Sequence, residues 1–223
     1  MKKMQKKQEA AKKTTKETIL EKALDLFSVY GYDGVSVKEI ADAVGIKDSS
    51  LYKHFKSKQE IFETLLAGMN ERFEQTVTFY NLPQGEIAAV TKQYGQNDLA
   101  WLKAAVDAIF LFFTSDAYAT KFLHLLMIEQ YKNNEAARLF ETWFIDGALT
   151  FQTQLFAQMM QEGYFRQAEP RAVAVQFYGP ILLLVLLYDS KPEKREEALE
   201  LLHSHVEEFA KNYHISHGEE KWI

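Results

Sequence analysis

With 223 residues, 47% of them hydrophobic, the chain is long enough for one large domain or for a small domain joined to a larger one. Its formal charge of −5 hides a division: residues 1–58 hold thirteen Lys against eight Asp or Glu, so the remainder carries −10. The absence of cysteine excludes disulfides, thiolate redox sensing and cysteine zinc sites, and ten glycines and four prolines without an alternating strand pattern predict an almost wholly helical fold.

Lys2, Lys3, Lys6, Lys7, Lys12, Lys13 and Lys16 make the start of the chain basic. Residues 1–13 read as a disordered arm that neutralises phosphates, reaches a minor groove, or merely solubilises the chain. The arm lacks the apolar core of a signal peptide, so the expected compartment is the cytoplasm.

Next comes Ser36, with Glu39 three residues on, a capping box in which each side chain satisfies an amide of the other. It predicts a helix from about Val37, with Val37, Ile40, Ala41 and Val44 on one apolar face. Gly45 then ends the helix in a left-handed conformation. A second helix is predicted from about Asp48 to Phe55, with Leu51 and Phe55 inward, and Ala41 is small enough to let the two helices approach. With Leu51 inward, Ser49 and Lys53 point almost opposite and Ser50, Tyr52 and His54 lie on the flanks. These groups can donate hydrogen bonds to phosphates or base edges, and a helix of this width fits a major groove. An ordinary helical hairpin with a solvated outer face is the competing reading. Cap, glycine turn and inward pair, however, all fall at the spacing of a helix-turn-helix.

Ser57 and Glu60 form another box, opening a helix with Ile61, Phe62, Leu65, Leu66, Met69 and Phe73 at helical spacing to about Phe79. It connects the two domains, and Pro83 and Gly85 then break the chain. Further helices are predicted at about Glu86–Tyr94, Asp98–Phe113, Ser115–Tyr131, Asn134–Glu162, Arg171–Asp189 and Glu193–Tyr213. Gly163, Pro170 and Pro192 sit at helix ends, and Pro180 should bend its helix by removing a bond to the Gln176 carbonyl.

Trp101, Phe110, Phe113, Tyr118, Phe122, Trp143, Phe144, Phe151, Phe177 and Tyr178 are spread over several of these helices, with His124, Gln130, Asp146 and Gln152 among them. Singly each reads as core; together they suit an apolar cavity with a few polar groups. Val173–Tyr188 is apolar almost all round, so it is either central to the domain or faces a second subunit. Its most apolar run, Ile181–Leu187, is well short of the roughly 20 residues that span a bilayer, and no membrane is expected. His203 and His205 diverge on a helix and His214 and His217 lie in a polar tail, so no metal site is expected. No nucleophile elbow, phosphate loop or metal-ligand motif is present, which predicts no catalytic residue, no cofactor and no enzymatic activity.

Residues 14–66 resemble the DNA-binding domain of TetR-family (tetracycline-repressor-like) regulators. The resemblance runs from Ile19, Ala23, Leu24 and Phe27 through Gly31–Val37, Ile40-Ala41, Val44-Gly45-Ile46 and Leu51-Tyr52-Lys53-His54-Phe55 to Lys58. It implies phosphate contacts from Ser36, Tyr52 and Lys58, and places Ser49, Ser50, Lys53 and His54 at or near the bases. Lys47 and Asp48 depart from the pattern, which has a small N-cap residue followed by a basic or small one. Asp48 then either caps the helix or accepts a hydrogen bond from a cytosine amine, so the operator sequence does not transfer.

The resemblance further implies an all-α fold with a helix-turn-helix domain at 14–58 and an effector-binding and dimerisation domain at 59–223. Its implied partners are a palindromic operator in double-stranded DNA, a second copy paired through about Asn134–Glu162 and Arg171–Asp189, and an apolar small-molecule effector that releases a repressor. Trp101, Phe110, Phe113, Phe122, His124, Trp143, Phe144, Phe151, Phe177 and Tyr178 are the expected effector lining. The alternative is a DNA-binding adaptor whose larger domain engages a protein.

Overall fold

A computed structural model describes residues 13–82, 85–96 and 98–215. The expected basic arm, apart from Lys13, lies outside the described residues, as do Pro83 and His217. Among the described residues the chain is all helix, with eleven α-helices and no strand beyond a single bridge. It divides into two compact units, Met1–Gly68 and Met69–Ile223.

In the first unit, α1 (Thr15–Tyr30) opens on a Thr14–Glu17 capping box and buries Ile19, Ala23, Leu24 and Phe27. The loop after it needs Gly34, because a Cβ there would lie 2.3 Å from the Tyr30 carbonyl oxygen. α2 (Val37–Val44) has the expected Ser36–Glu39 box, and Gly45 ends it at φ 79° and ψ 30°, the left-handed region. α3 is shorter than expected, covering Asp48–Leu51. Beyond it the amides of Lys53 and His54 donate to carbonyls three residues back, those of Ser50 and Leu51, so the chain tightens out of the α-helix. Leu51 and Phe55 are nonetheless buried together as predicted, since the Phe55 amide still donates to the Leu51 carbonyl four residues back.

The division between units falls inside α4 (Lys58–Phe79), ten residues past the expected 58/59 boundary. Ile61, Phe62 and Leu65 are buried, and the Phe62 ring meets Tyr32 at 5.4 Å, so the first turns of α4 complete the smaller core.

The second unit continues with α5 (Ile87–Gln96), α6 (Leu99–Ser115), α7 (Ala117–Glu129), α8 (Asn134–Phe140), α9 (Gly147–Gln161), α10 (Pro170–Tyr188) and α11 (Arg195–Tyr213). The helix expected over Asn134–Glu162 is interrupted by a π-helical turn at Glu141–Asp146. There the Gly147 amide donates to the Thr142 carbonyl five residues back. A Cβ at Gly147 would lie 2.4 Å from that oxygen, so glycine permits the wide turn. α10 runs through Pro180 without a break.

An aromatic cluster of Phe156, Phe165, Phe177 and Phe209 joins α9, α10 and α11, with ring centroids 4.7–5.9 Å apart. The bridge between Phe165 and His214 ties the turn after α9 to the end of α11. α10 packs on α6, α9 and α11 and buries Val173, Phe177, Ile181, Leu184 and Val185. Its other side leaves Val175, Leu183 and Leu187 exposed. By length and composition the whole of α10, unlike Ile181–Leu187 alone, would suffice to cross a membrane. Its packing against three helices is that of a bundle helix.

Candidate nucleic-acid interface

Lys47, Asp48, Ser49, Tyr52, Lys53 and His54 are all exposed on α3 and the turn after it, with Ser50 half-buried between them. They stand over Leu51 and Phe55, which are closed off from solvent. The N-cap position of α3 is Lys47, without a side-chain cap bond, and Asp48 is the first helical residue. Of the two roles open to Asp48, capping is therefore removed. Its carboxylate remains exposed at the front of the helix.

Ser36 is engaged locally. Its hydroxyl donates to the Glu39 carboxylate at 2.7 Å and accepts from the Glu39 amide at 3.2 Å. The Ser36 backbone N–H and then its hydroxyl hold the Glu39 carboxyl below the ordinary value of 4.5. Lys58 is engaged too, at longer range. Its ammonium donates to the Tyr32 carbonyl at 2.9 Å and the Val35 carbonyl at 3.0 Å, and sits 4.2 Å from the centre of the Tyr32 ring. The Tyr32 hydroxyl donates to Gln59 at 3.1 Å. Lys58 thus fastens the start of α4 to the α1–α2 loop, a structural role beside the expected phosphate contact. Ser57 accepts the Glu60 amide as expected, but the Glu60 carboxylate reaches past Ser57 to the Lys56 amide.

Of the ten residues expected around an effector, the enclosed cavity found among the described residues brings together two. Phe110, Phe113, Phe122 and Phe144 are packed core. Trp101 stands edge-on to Tyr94, Trp143 edge-on to Phe73, and the Tyr178 hydroxyl donates to the Phe144 carbonyl at 2.8 Å. His124 pairs with Asp189 at 2.6 Å. Phe151 and Phe177 do line an enclosed cavity of about 30 Å³, together with Tyr94, Gln152, Phe156, Phe165 and Phe209. Phe151 also lines an open groove of about 530 Å³ beside Glu86, Ile87, Thr142, Asp146 and Gln154. Tyr94, Phe156, Phe165 and Phe209 were not singled out as lining. No local signal in the sequence distinguishes a cavity wall from core.

Residues 19–65 match the family described as bacterial regulatory proteins, tetR family. Over 48 residues, 22% of this chain, the sequence is 50% identical to IcaR of Staphylococcus aureus, the HTH-type negative transcriptional regulator of the biofilm operon icaADBC. That match spans about a quarter, 26%, of IcaR. A longer match, 34% identical over 170 residues, covers 73% of this chain and 76% of the nucleoid occlusion factor SlmA of Haemophilus ducreyi. This chain belongs to the TetR family. The likeness in fold extends through both units: the crystal structure of AibR in complex with isovaleryl coenzyme A and operator DNA matches 86% of this chain and 97% of AibR. Its TM-score is 0.60 at 21% identity. As in the TetR family generally, the helix-turn-helix lies at the N-terminal end, here over α2 and α3.

Proposed function

We propose that this TetR-family DNA-binding regulator is a homodimeric repressor that binds a palindromic operator through Lys47–His54 and is released by a small-molecule effector. The carrying observation is the exposed polar row on α3 and its following turn, held over a closed apolar core in the basic part of the chain. One such short row reads a few base pairs, so two copies on a two-fold axis supply the remaining specificity. The exposed Val175, Leu183 and Leu187 of α10 support pairing through that helix together with α8 and α9. IcaR is a negative regulator, and AibR was crystallised with both a small molecule and operator DNA; both support effector-released repression. Release follows if the effector binds better to a conformation whose paired helices no longer fit successive grooves. Phosphate contacts from Ser36, Tyr52 and Lys58, residence in the cytoplasm and the lack of catalytic chemistry belong to the same proposal.

The likeness to SlmA favours a second reading. It runs well into the larger unit, and that protein is described as a nucleoid occlusion factor. On this reading the larger unit engages a protein. A cavity of about 30 Å³, room for little more than one water, also suits a unit without an effector.

Selection of bound sites from a random DNA pool, paired with sedimentation of the purified chain, tests the leading proposal. The expected result is a two-fold symmetric consensus and a dimer. An asymmetric site bound by a monomer overturns it.

A further inference from the structure

The open groove and the enclosed cavity of the larger unit share one wall, Phe151. It lies one helical turn after Gly147, where the π-turn at Glu141–Asp146 gives way to α9, and such turns are concentrated at functional sites. Gln152 lines the cavity, and its side-chain oxygen is buried with no hydrogen-bond partner among the described residues. A carbonyl oxygen in that state is costly unless something donates to it. The remaining walls are aromatic or aliphatic, and none of the lining residues is charged. Tyr94 also lines the cavity; burial pushes its phenol up to about 12, so it stays neutral.

Deepening the effector-responsive reading, on which it rests, we propose that Phe151 is a gate and Gln152 the polar anchor of the effector site. A small, flat, neutral molecule with one N–H or O–H donor approaches through the groove and displaces the Phe151 ring. It then seats against Phe156, Phe177 and Phe209 and donates to the Gln152 oxygen. A charged molecule is rejected because nothing inside compensates an ion. The present volume admits no organic molecule, so entry requires the Phe151 ring to move.

The test uses two probes of nearly the same shape: indole, which carries one N–H, and indene, which carries none. Calorimetric titration of the wild-type chain is expected to give indole at least about tenfold tighter binding than indene, and Gln152→Leu should level the two. Phe151→Ala is expected to speed indole association at least about tenfold, read from ligand-observed NMR line broadening. Phe151→Leu repeats this measurement with less loss of packing. Equal binding of the two probes to wild type, or no binding of indole to wild type and both Phe151 variants, overturns the proposal.

Operator binding in the presence of indole separates this from the parent reading. Seating with the expected variant effects but unchanged operator affinity supports the site and removes the effector role for this chemical class. A compound that releases wild type from operator, yet binds and releases Phe151→Ala and Gln152→Leu with unchanged rates and affinity, supports the effector reading and overturns the gate.

Discussion

Both units cap helices locally, but their longest polar pairings differ. In the first, Thr14 caps Glu17, Ser36 caps Glu39 and Ser57 accepts from Glu60, all three residues apart. In the second, Lys103 pairs with Glu207, Asp107 with His203 and His124 with Asp189, at separations of 104, 96 and 65 residues. A unit shaped by neighbours can satisfy its internal polar groups locally and leave a row such as Lys47–His54 facing outward. A unit shaped by distant pairs acquires its cavity only when several helices assemble, so that cavity responds to whatever shifts their packing.

The sharpest test of the long-range unit lies on α10, where neighbouring leucines have opposite fates. Leu184 is 8% exposed and Leu183 is 55% exposed. Leu184→Glu places an unpaired charge among packed helices, a cost of about 3–5 kcal/mol, and the larger unit is expected to lose its cooperative unfolding transition. Leu183→Glu is expected to keep native helicity and to sediment as a monomer with weakened palindrome binding. A dimeric Leu183→Glu with intact operator binding would remove this face from the interface.

For the local unit the corresponding test is readout. Asp48 makes no cap and Lys53 is exposed, so the fold should tolerate loss of either side chain. Asp48→Ala is expected to relax preference for a cytosine at one half-site position, and Lys53→Ala to change preference at another. Each effect should be about 1–3 kcal/mol where a good contact is lost. Site selection with each variant checks this, and consensus sites identical to wild type would exclude both residues as base readers.

Lys58 blurs the comparison, because it ties the local unit together across 26 and 23 residues. Lys58→Met removes two charge-assisted hydrogen bonds from a half-buried side chain and is expected to cost about 1.5–3 kcal/mol, the usual worth of one such bond, because water reaches the freed carbonyls. Salt titration of DNA affinity separates the two roles. Loss of a phosphate contact lowers the slope by about 0.9, whereas loss of the loop clamp alone weakens binding at an unchanged slope.

Legibility in the sequence followed the same division. The Ser36–Glu39 box, the Gly45 stop and the inward Leu51–Phe55 pair were readable because each is local. The early end of α3 was not, since residues four apart share a face in an α-helix and remain close through a tighter turn. The π-turn was hidden too. A 3.6-residue pattern records which side chains are apolar and not the space Gly147 leaves for the Thr142 carbonyl. Of the expected effector lining, Phe151 and Phe177 met at the enclosed cavity, which draws on α5, α6, α9, α10, α11 and the turn after α9. Which aromatic lines a void and which fills one depends on how six segments converge, and no stretch of sequence carries that.

The smallest expected effect bears on whether the local unit is as self-contained as its caps suggest. Ser36→Ala removes one of the two groups that bind Glu39 and should cost about 1 kcal/mol at neutral pH, the usual worth of a serine cap. The pH dependence has a definite sign. Because the Ser36 backbone N–H and hydroxyl lower the Glu39 pKa in the folded state, the ionised carboxylate stabilises the fold above pH 4.5, and that contribution is lost as pH falls through the lowered value. Thr14 acts on Glu17 in the same direction, through its backbone N–H first and its hydroxyl second. Hydrogen exchange of the α2 amides between pH 3 and 7 should therefore show protection falling with acid in wild type. The fall should be shallower in Ser36→Ala, where the backbone donor survives, and shallower still in Glu39→Gln, which has no proton to gain. Acid limbs of equal steepness in all three proteins would mean that α2 is held by contacts outside its own first turn, and the local character of this unit would fail at its best-formed cap.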